Sequence, residues 1–313
     1  MKYVVKKVAI FLATLLAISI VIFIAFQVVP TDPTTRMLGT QATPEKVALL
    51  REELGLNQPG IVRYFKWLGG FVTGDFGVSY NYNMPVSELL QGKLGITAAL
   101  TLLSFVMVVV ISIPIGILLA RYAHSFLDRI MTVWNQIVMS IPAFFIGILF
   151  TYIFGLVLKC FTPGKFINHA QDAAAFWSYL FFPALAIALP KSAMVIKLLR
   201  SSMIDQMKED YVRTAFSRGN SRWRVLRQHV LRNAMIPVIT FLAYTLVDII
   251  AGSIIIEQVF AIPGLGRLLM TSITGSDYPV AQTIIMIIAT LVMAVNYLAD
   301  ISYKYIDPRI RFR

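Results

Sequence analysis

The sequence predicts an all-α membrane protein with six transmembrane helices and both termini cytoplasmic. Three observations carry that prediction. Charged residues make up 14% of the 313-residue chain, and the mean hydropathy is +0.73; soluble domains carry about 25% charged residues. Six segments are apolar over roughly the 20 residues a helix needs to cross a bilayer core. The positive charges between those segments fall unevenly.

The first crossing is residues 8–29. Lys2, Lys6 and Lys7 precede it like the basic end of a signal peptide. The apolar run is too long for that, and it ends in Val28-Val29-Pro30 without a small-residue cleavage pattern, so a retained helix is expected. The second and third crossings are residues 95–120 and 133–158. The fourth, residues 179–196, is short and carries Pro183, Pro190 and Lys191. Neighbouring helices can supply the backbone partners such breakers remove. The fifth and sixth are residues 236–256 and 280–302.

With the N-terminus inside, segments 1–7, 121–132, 197–235 and 304–313 hold 18 Lys and Arg in 68 residues, and segments 30–94, 159–178 and 258–279 hold 9 in 107. That bias sets the orientation. It divides the chain into residues 1–94, the first helix with a long external loop, and residues 95–313, a five-helix core with its main cytoplasmic loop at 197–235.

The external loop, residues 30–94, is too long for a simple connection. Thr43-Pro44-Glu45 starts a helix there and Gly55 stops it. Tyr64, Phe65, Trp67 and Phe71 recur at helical spacing, as at a membrane interface. The loop reads either as a cap that meets an external partner or as a lid on its own subunit.

The cytoplasmic loop holds the densest charge. "RTAFSRGNSRWRVLRQHVLRNAMIP", residues 213–237, contains six arginines and no acid. Cytoplasmic placement explains part of this, but not its order. Residues 203–218 are good helix formers, and Gly219 is a natural C-terminal stop. Ser221 can cap a second helix running through Arg232. Val212, Ala215 and Phe216 share one apolar face, and Trp223, Leu226 and Val230 another. Such a helix–glycine–helix unit can lie on a membrane or dock on a soluble partner. Nucleic acid is disfavoured, because no recognition module is present.

Asp248 falls near the middle of the fifth crossing, where a charge costs about 2.5–3.5 kcal/mol on insertion scales. It either attracts a cationic substrate group or pairs inside the bundle, with Lys191 as partner, or stays protonated. Thr97, Thr101 and Ser104 share a face of the second crossing. They either line a polar pathway or bond to their own backbone and pack against neighbouring helices. Cys160 is the single cysteine, which excludes an internal disulfide, and it reads as a small hydrophobe. His124, His169 and His229 lie far apart and read as loop residues. There is no G-x-x-x-x-G-K-[ST] phosphate loop, no H-E-x-x-H and no G-x-S-x-G, so neither ATP hydrolysis nor an intramembrane hydrolase is expected of this chain.

The arginine loop resembles the EAA loop of bacterial ABC importer permeases, whose pattern is E-A-A, three residues, G, nine residues, I-x-L-P. Here the frame reads Arg213-Thr214-Ala215, then Gly219, then His229-Val230-Leu231-Arg232, without the Glu, the first Ala, the Ile or the Pro. "DYVRTAFSRG" and "VLRQHVLRNAMIPVIT" are similar to the peptide-importer branch. So are "PTDP" (residues 30–33), "LGLNQPGIVRYFKWLGGFVTGDFGVSY" (54–80), "EQVFAIPGLGRLL", "DYPVAQ" and "DPRIRFR". Together they resemble the B-type subunit of dipeptide and oligopeptide importers over nearly the whole chain.

The resemblance implies the type I permease fold. It implies a second permease subunit that completes the pathway, two cytoplasmic ATPases that use ATP and Mg, and an extracytoplasmic binding protein that delivers the peptide. No cofactor is implied on this chain. Arg213, Thr214, Ala215, Phe216, Arg218, Gly219 and Asn220 would form the ATPase-coupling loop. Glu257, Pro263, Gly264 and Gly266 match the family's last external loop. Similar subunits import nickel chelates, glutathione and other small solutes. A stand-alone secondary transporter would instead call for inverted repeats and paired midplane carboxylates. A membrane-anchored interaction protein would not need six crossings.

Overall fold

The computed structural model describes residues 2–28, 33–39 and 42–306, and every named element among them is a helix. Pro30 to Asp32 of the first family-like motif and Asp307 to Arg313 of the last lie outside the described residues. The elements before the second crossing are α1 (Lys2–Val28), α2 (Pro33–Leu38), α3 (Pro44–Glu53), α4 (Gly60–Thr73) and α5 (Val86–Leu90). Then come α6 (Lys93–Arg121), α7 (Phe126–Ser140), α8 (Ala143–Phe150) and a π-helical turn, Thr151–Val157. Next are α9 (Ala173–Gln206), α10 (Asp210–Ser217), α11 (Arg222–Val225), a second π turn, Leu226–Val230, and α12 (Leu231–Val259). The described chain ends with α13 (Leu265–Thr274) and α14 (Tyr278–Ile306).

Among the described residues, five helical stretches are long and apolar enough to cross a membrane: Lys6–Val28, Val86–Arg121, Ala173–Gln206, Arg222–Val259 and Tyr278–Asp300. The third expected crossing has a different form. α7 and α8 meet at 94°, and the pair makes a sixth span only if counted as one broken crossing. The cause is local. Pro142 disfavours helical geometry at the residue before it, and Ile141 is extended, with φ −90° and ψ 123°. Pro114, Pro183, Pro190 and Pro237 sit inside continuous helices.

The chain forms two compact units: Met1–Thr97 with Pro263–Ala294, and Ala98–Ile262 with Val295–Arg313. In the first, Thr43 caps α3 by accepting the Lys46 N–H, and Gly55 follows with φ +64°. The first unit is also held together by a buried carboxylate, Asp277. It accepts from the Ser79 hydroxyl at 2.5 Å, the Tyr80 N–H at 3.1 Å and the Asn81 N–H at 3.3 Å. Asn81 in turn donates its side-chain amide to the Gly275 carbonyl at 3.3 Å. The "DFGVSY" and "DYPVAQ" stretches are therefore two halves of one junction. Without Asp277, three donors would be left unpaired, at about 1–3 kcal/mol for each that stays buried.

In the second unit α9 is the central helix, packed on α7, α8 and α12. A small residue also lets α6 approach α9. A side chain at Gly116 would come within 2.8 Å of the buried Leu199, so a larger residue would force the helices apart. Tyr179 donates its hydroxyl to the Phe260 carbonyl at 2.5 Å and accepts the Gly164 N–H at 3.0 Å, which ties the loop before α9 to the end of α12. Cys160 is exposed in that loop, not packed as a small hydrophobe. The helical element ends before it, at Val157.

Candidate functional site

The arginine loop differs in two respects from its expected shape. The first helix does not begin near Met203. α9 runs on to Gln206, the chain turns through Met207–Glu209, and α10 starts at Asp210, whose charge suits a helix N-terminus. The second helix is not a separate element ending at Arg232. It starts after Ser221 and passes through the π turn directly into α12, because no Gly or Pro interrupts residues 222–236. The loop is therefore continuous with a membrane-spanning helix.

Between the two lies Gly219, with φ +78°. A Cβ there would meet nothing within 4 Å, so the constraint is backbone conformation and not crowding. The turn is closed by hydrogen bonds. The Gly219 N–H donates to the Phe216 carbonyl at 2.9 Å, and the Arg218 N–H to the Thr214 carbonyl at 3.2 Å. The Asn220 side-chain amide donates to the Ala215 carbonyl at 3.0 Å. Val212 and Ala215 are buried, while Phe216 remains 39% exposed. Arg213, Thr214 and Arg218 are exposed, as are Arg222, Arg224 and Arg227. Arg213 meets Asp210 at 3.6 Å on the open surface, a pair worth little. Trp223 carries the Arg121 guanidinium 5.2 Å from its ring centre and, with Arg224 and Arg227, borders a concavity of about 550 Å3. The surface thus offers an aromatic ring, a hollow and several exposed positive charges.

The base of the loop is braced. Arg200, near the end of α9, grips Asp128 in the first turn of α7 through two bonds of 2.6 Å, Nε to Oδ1 and Nη2 to Oδ2. Asp128 is buried and also accepts the His124 N–H at 2.8 Å. The Ser202 hydroxyl donates to the Ala234 carbonyl of α12 at 3.0 Å. Sequence reading missed both braces, although Asp128 carries a signal: Ser125 caps α7 by accepting its N–H, a helix start recognisable from Ser-x-x-Asp.

Lys191 and Asp248 are brought together. The Lys191 ammonium donates to Asp248 at 2.8 Å, and Asp248 is 62% exposed on the face of α12 that also bears Tyr244, Ala251 and Ile255. Thr97, Thr101 and Ser104 are buried. Thr97 accepts the Leu265 N–H at 2.9 Å, Ser104 donates to the Leu100 carbonyl at 2.7 Å, and among the described residues nothing pairs with the Thr101 hydroxyl. Glu257, Gly264 and Gly266 are also buried, with Pro263 partly so, where α12 gives way to α13. The Glu257 carbonyl accepts the Ile262 N–H at 2.8 Å and tightens that turn.

Comparison with known proteins agrees with this architecture. Residues 112–312 match the family described as binding-protein-dependent transport system inner membrane component, and residues 1–101 match the corresponding N-terminal family. The chain is 36% identical over 313 residues to the oligopeptide transport system permease protein AppB of Bacillus subtilis, covering 99% of each. It is 33% identical over 310 residues to a probable peptide ABC transporter permease protein of Sinorhizobium fredii, again covering 99% of each. Among solved structures, an inward-facing MetNI methionine ABC transporter chain superposes with a TM-score of 0.57 at 17% identity, over 70% of this chain and 96% of that one. That last likeness concerns the fold alone.

Proposed function

Because this chain belongs to the binding-protein-dependent transport system inner membrane component family, and so is a membrane-embedded permease of an ABC importer, we propose that it forms half of a peptide pathway and receives its drive through the arginine loop. A second permease subunit completes the pathway. Two ATP-binding subunits on the cytoplasmic side hydrolyse ATP with Mg, and an extracytoplasmic binding protein delivers di- or oligopeptides. This chain supplies no hydrolytic site. The observation that carries the reading is the exposed, positively charged loop whose second half is continuous with α12. Full-length similarity to proteins named as peptide and oligopeptide permeases supports the substrate class.

The outer segments, residues 30–94, 159–178 and 258–279, then face the binding protein's side. Asp248 and Lys191 face the pathway or the second permease, since a pair this exposed in mid-span is unstable against lipid. The test is uptake by proteoliposomes containing the four-part transporter and its binding protein. Di- and oligopeptides are expected to be accumulated only with ATP inside. Asp248→Asn should lower uptake of peptides with an added cationic side chain about five-fold relative to neutral ones, corresponding to ~1 kcal/mol for a partly solvated charge pair. Equal loss for all peptides would place the pair in the subunit interface. Uptake of nickel chelates or glutathione in preference to peptides would redirect the substrate assignment.

A further inference from the structure

We propose that the first unit holds an anionic phospholipid, with an acyl chain between α1 and α4 and its phosphate on Arg63 and Lys66. Two adjoining hollows make the site. The first, about 530 Å3, is an apolar groove lined from the two helices by Ile20, Ile24, Ile61 and Phe65 and by the buried Phe23 and Tyr64. Its size falls in the range of small-ligand sites, about 300–1,000 Å3. The second, about 260 Å3, shares Phe23 and Gln27 with the groove and is lined by Arg63, Lys66 and Trp67.

The bilayer is the neighbour that covers the groove. α1 is apolar enough to span it, and only 11% of its most apolar window is buried within the protein. Its exposed residues, Ile20, Val21 and Ile24 among them, must therefore be solvated by lipid or by another subunit. α4 is amphipathic, with Ile61, Phe65 and Val72 exposed along one side at 69%, 63% and 78%. Such a helix lies in the interfacial plane. It is pinned to α1 at a fixed depth. The Tyr64 and Ser19 hydroxyls share a hydrogen bond of 2.9 Å, and the Phe23 ring stands edge-on to Tyr64 at 5.4 Å.

Charge selects the headgroup. Gln27 is the last residue but one of α1, at the edge of the hydrocarbon. Arg63 Nη1 donates to Gln27 Oε1 at 3.4 Å, so the guanidinium sits at headgroup level. Among the described residues no carboxylate forms an ion pair with Arg63 or Lys66. Asp75 is the one acid lining the second hollow, and its Oδ1 is occupied by the Gly77 N–H at 3.1 Å. Two cations against one acid leave a net positive charge beside an apolar groove, which suits a phosphate ester carrying an acyl chain. A zwitterionic lipid would bring its own cation to the same place.

The experiment uses the full chain purified with its partner subunits in mild detergent. The complex is offered equimolar phosphatidylglycerol and phosphatidylcholine with matched chains, and retained lipid is counted by native mass spectrometry. Phosphatidylglycerol should be retained in preference. Arg63→Ala and Lys66→Ala should each reduce that preference about five-fold, the worth of one cation near an anionic headgroup. Gly60→Leu, at the groove wall where a Cβ meets nothing within 4 Å, should reduce retention of both lipids without loss of assembly. A benzophenone side chain in place of Phe65 should capture phospholipid in native membranes. Retention without headgroup preference, retention unchanged in the variants, displacement by inorganic phosphate alone, or capture of a protein subunit at position 65 would each overturn the proposal.

Discussion

Replacing Gly219→Val is expected to leave the protein inserted in the membrane while reducing substrate-stimulated ATP hydrolysis of the assembled transporter by at least about ten-fold. The glycine has φ +78°, a region that β-branched residues reach only with strain of roughly 1–3 kcal/mol. Space is not the obstacle, since the position is open. The chain would relieve the strain by reopening the Phe216–Gly219 and Thr214–Arg218 turn, which would swing α10 relative to α11. Gly219→Asn is the control, because Asn tolerates the left-handed region and should retain most of the activity. Arg218→Glu keeps the turn but reverses a charge on the exposed surface, and should act in the same direction as Gly219→Val through repulsion from an acidic partner surface. Neutralising one arginine should not alter topology, since 17 of the 18 cationic residues in the inner segments would remain.

Asp128→Ala is expected to destabilise the second unit by about 3 kcal/mol, the lower end of the cost of breaking a buried ion pair. The carboxylate is 3% exposed and its Arg200 partner 23%, so water compensates the abandoned guanidinium only in part. The His124 N–H also loses its acceptor. The loss should appear as a lower yield of assembled complex and a lower unfolding temperature. Arg200→Leu combined with Asp128→Leu should recover part of it, since removing both charges avoids the unpaired one. If the single variant matched wild type in both measures, the brace beneath the loop would carry no weight.

The residues made much of this legible before any coordinates. Long apolar runs gave the crossings, because a membrane-spanning helix must satisfy its backbone within one contiguous segment. Gly219 stood out for the same reason that it matters: glycine adopts that conformation without the strain a β-branched residue would meet. Other features depended on context that a single chain does not display. Pro142 breaks a crossing while Pro114, Pro183, Pro190 and Pro237 do not, so a proline in an apolar run does not by itself mark the break. The π turn at Leu226–Val230 left no mark in the apolar periodicity, so the second coupling helix was expected to end where it continues. The Asp277 junction joins residues 198 positions apart. Asp277 could be recognised as a family-like motif residue, but not as the acceptor that holds Ser79, Tyr80 and Asn81.

The site itself was legible in its charges and less so in its depth. Thr97, Thr101 and Ser104 fall on one face by spacing alone, yet whether that face meets water or protein depends on neighbours from other parts of the chain. Asp248 was conspicuous as a lone carboxylate in an apolar run. Its contact with Lys191, 57 residues away, depends on how α9 and α12 pack.

The most direct measurement is a cross-link from position 216. Phe216 is an apolar side chain 39% exposed beside the Gly219 turn. With the exposed Cys160 removed, a cysteine at position 216 is paired with cysteines introduced around the cleft of the ATP-binding subunit. A disulfide whose yield changes between the nucleotide-free and ATP-bound transporter is the expected result. An assembled, ATP-hydrolysing complex in which position 216 meets no residue of that subunit, in either state, would contradict coupling through the arginine loop and leave its charge as a topology signal alone.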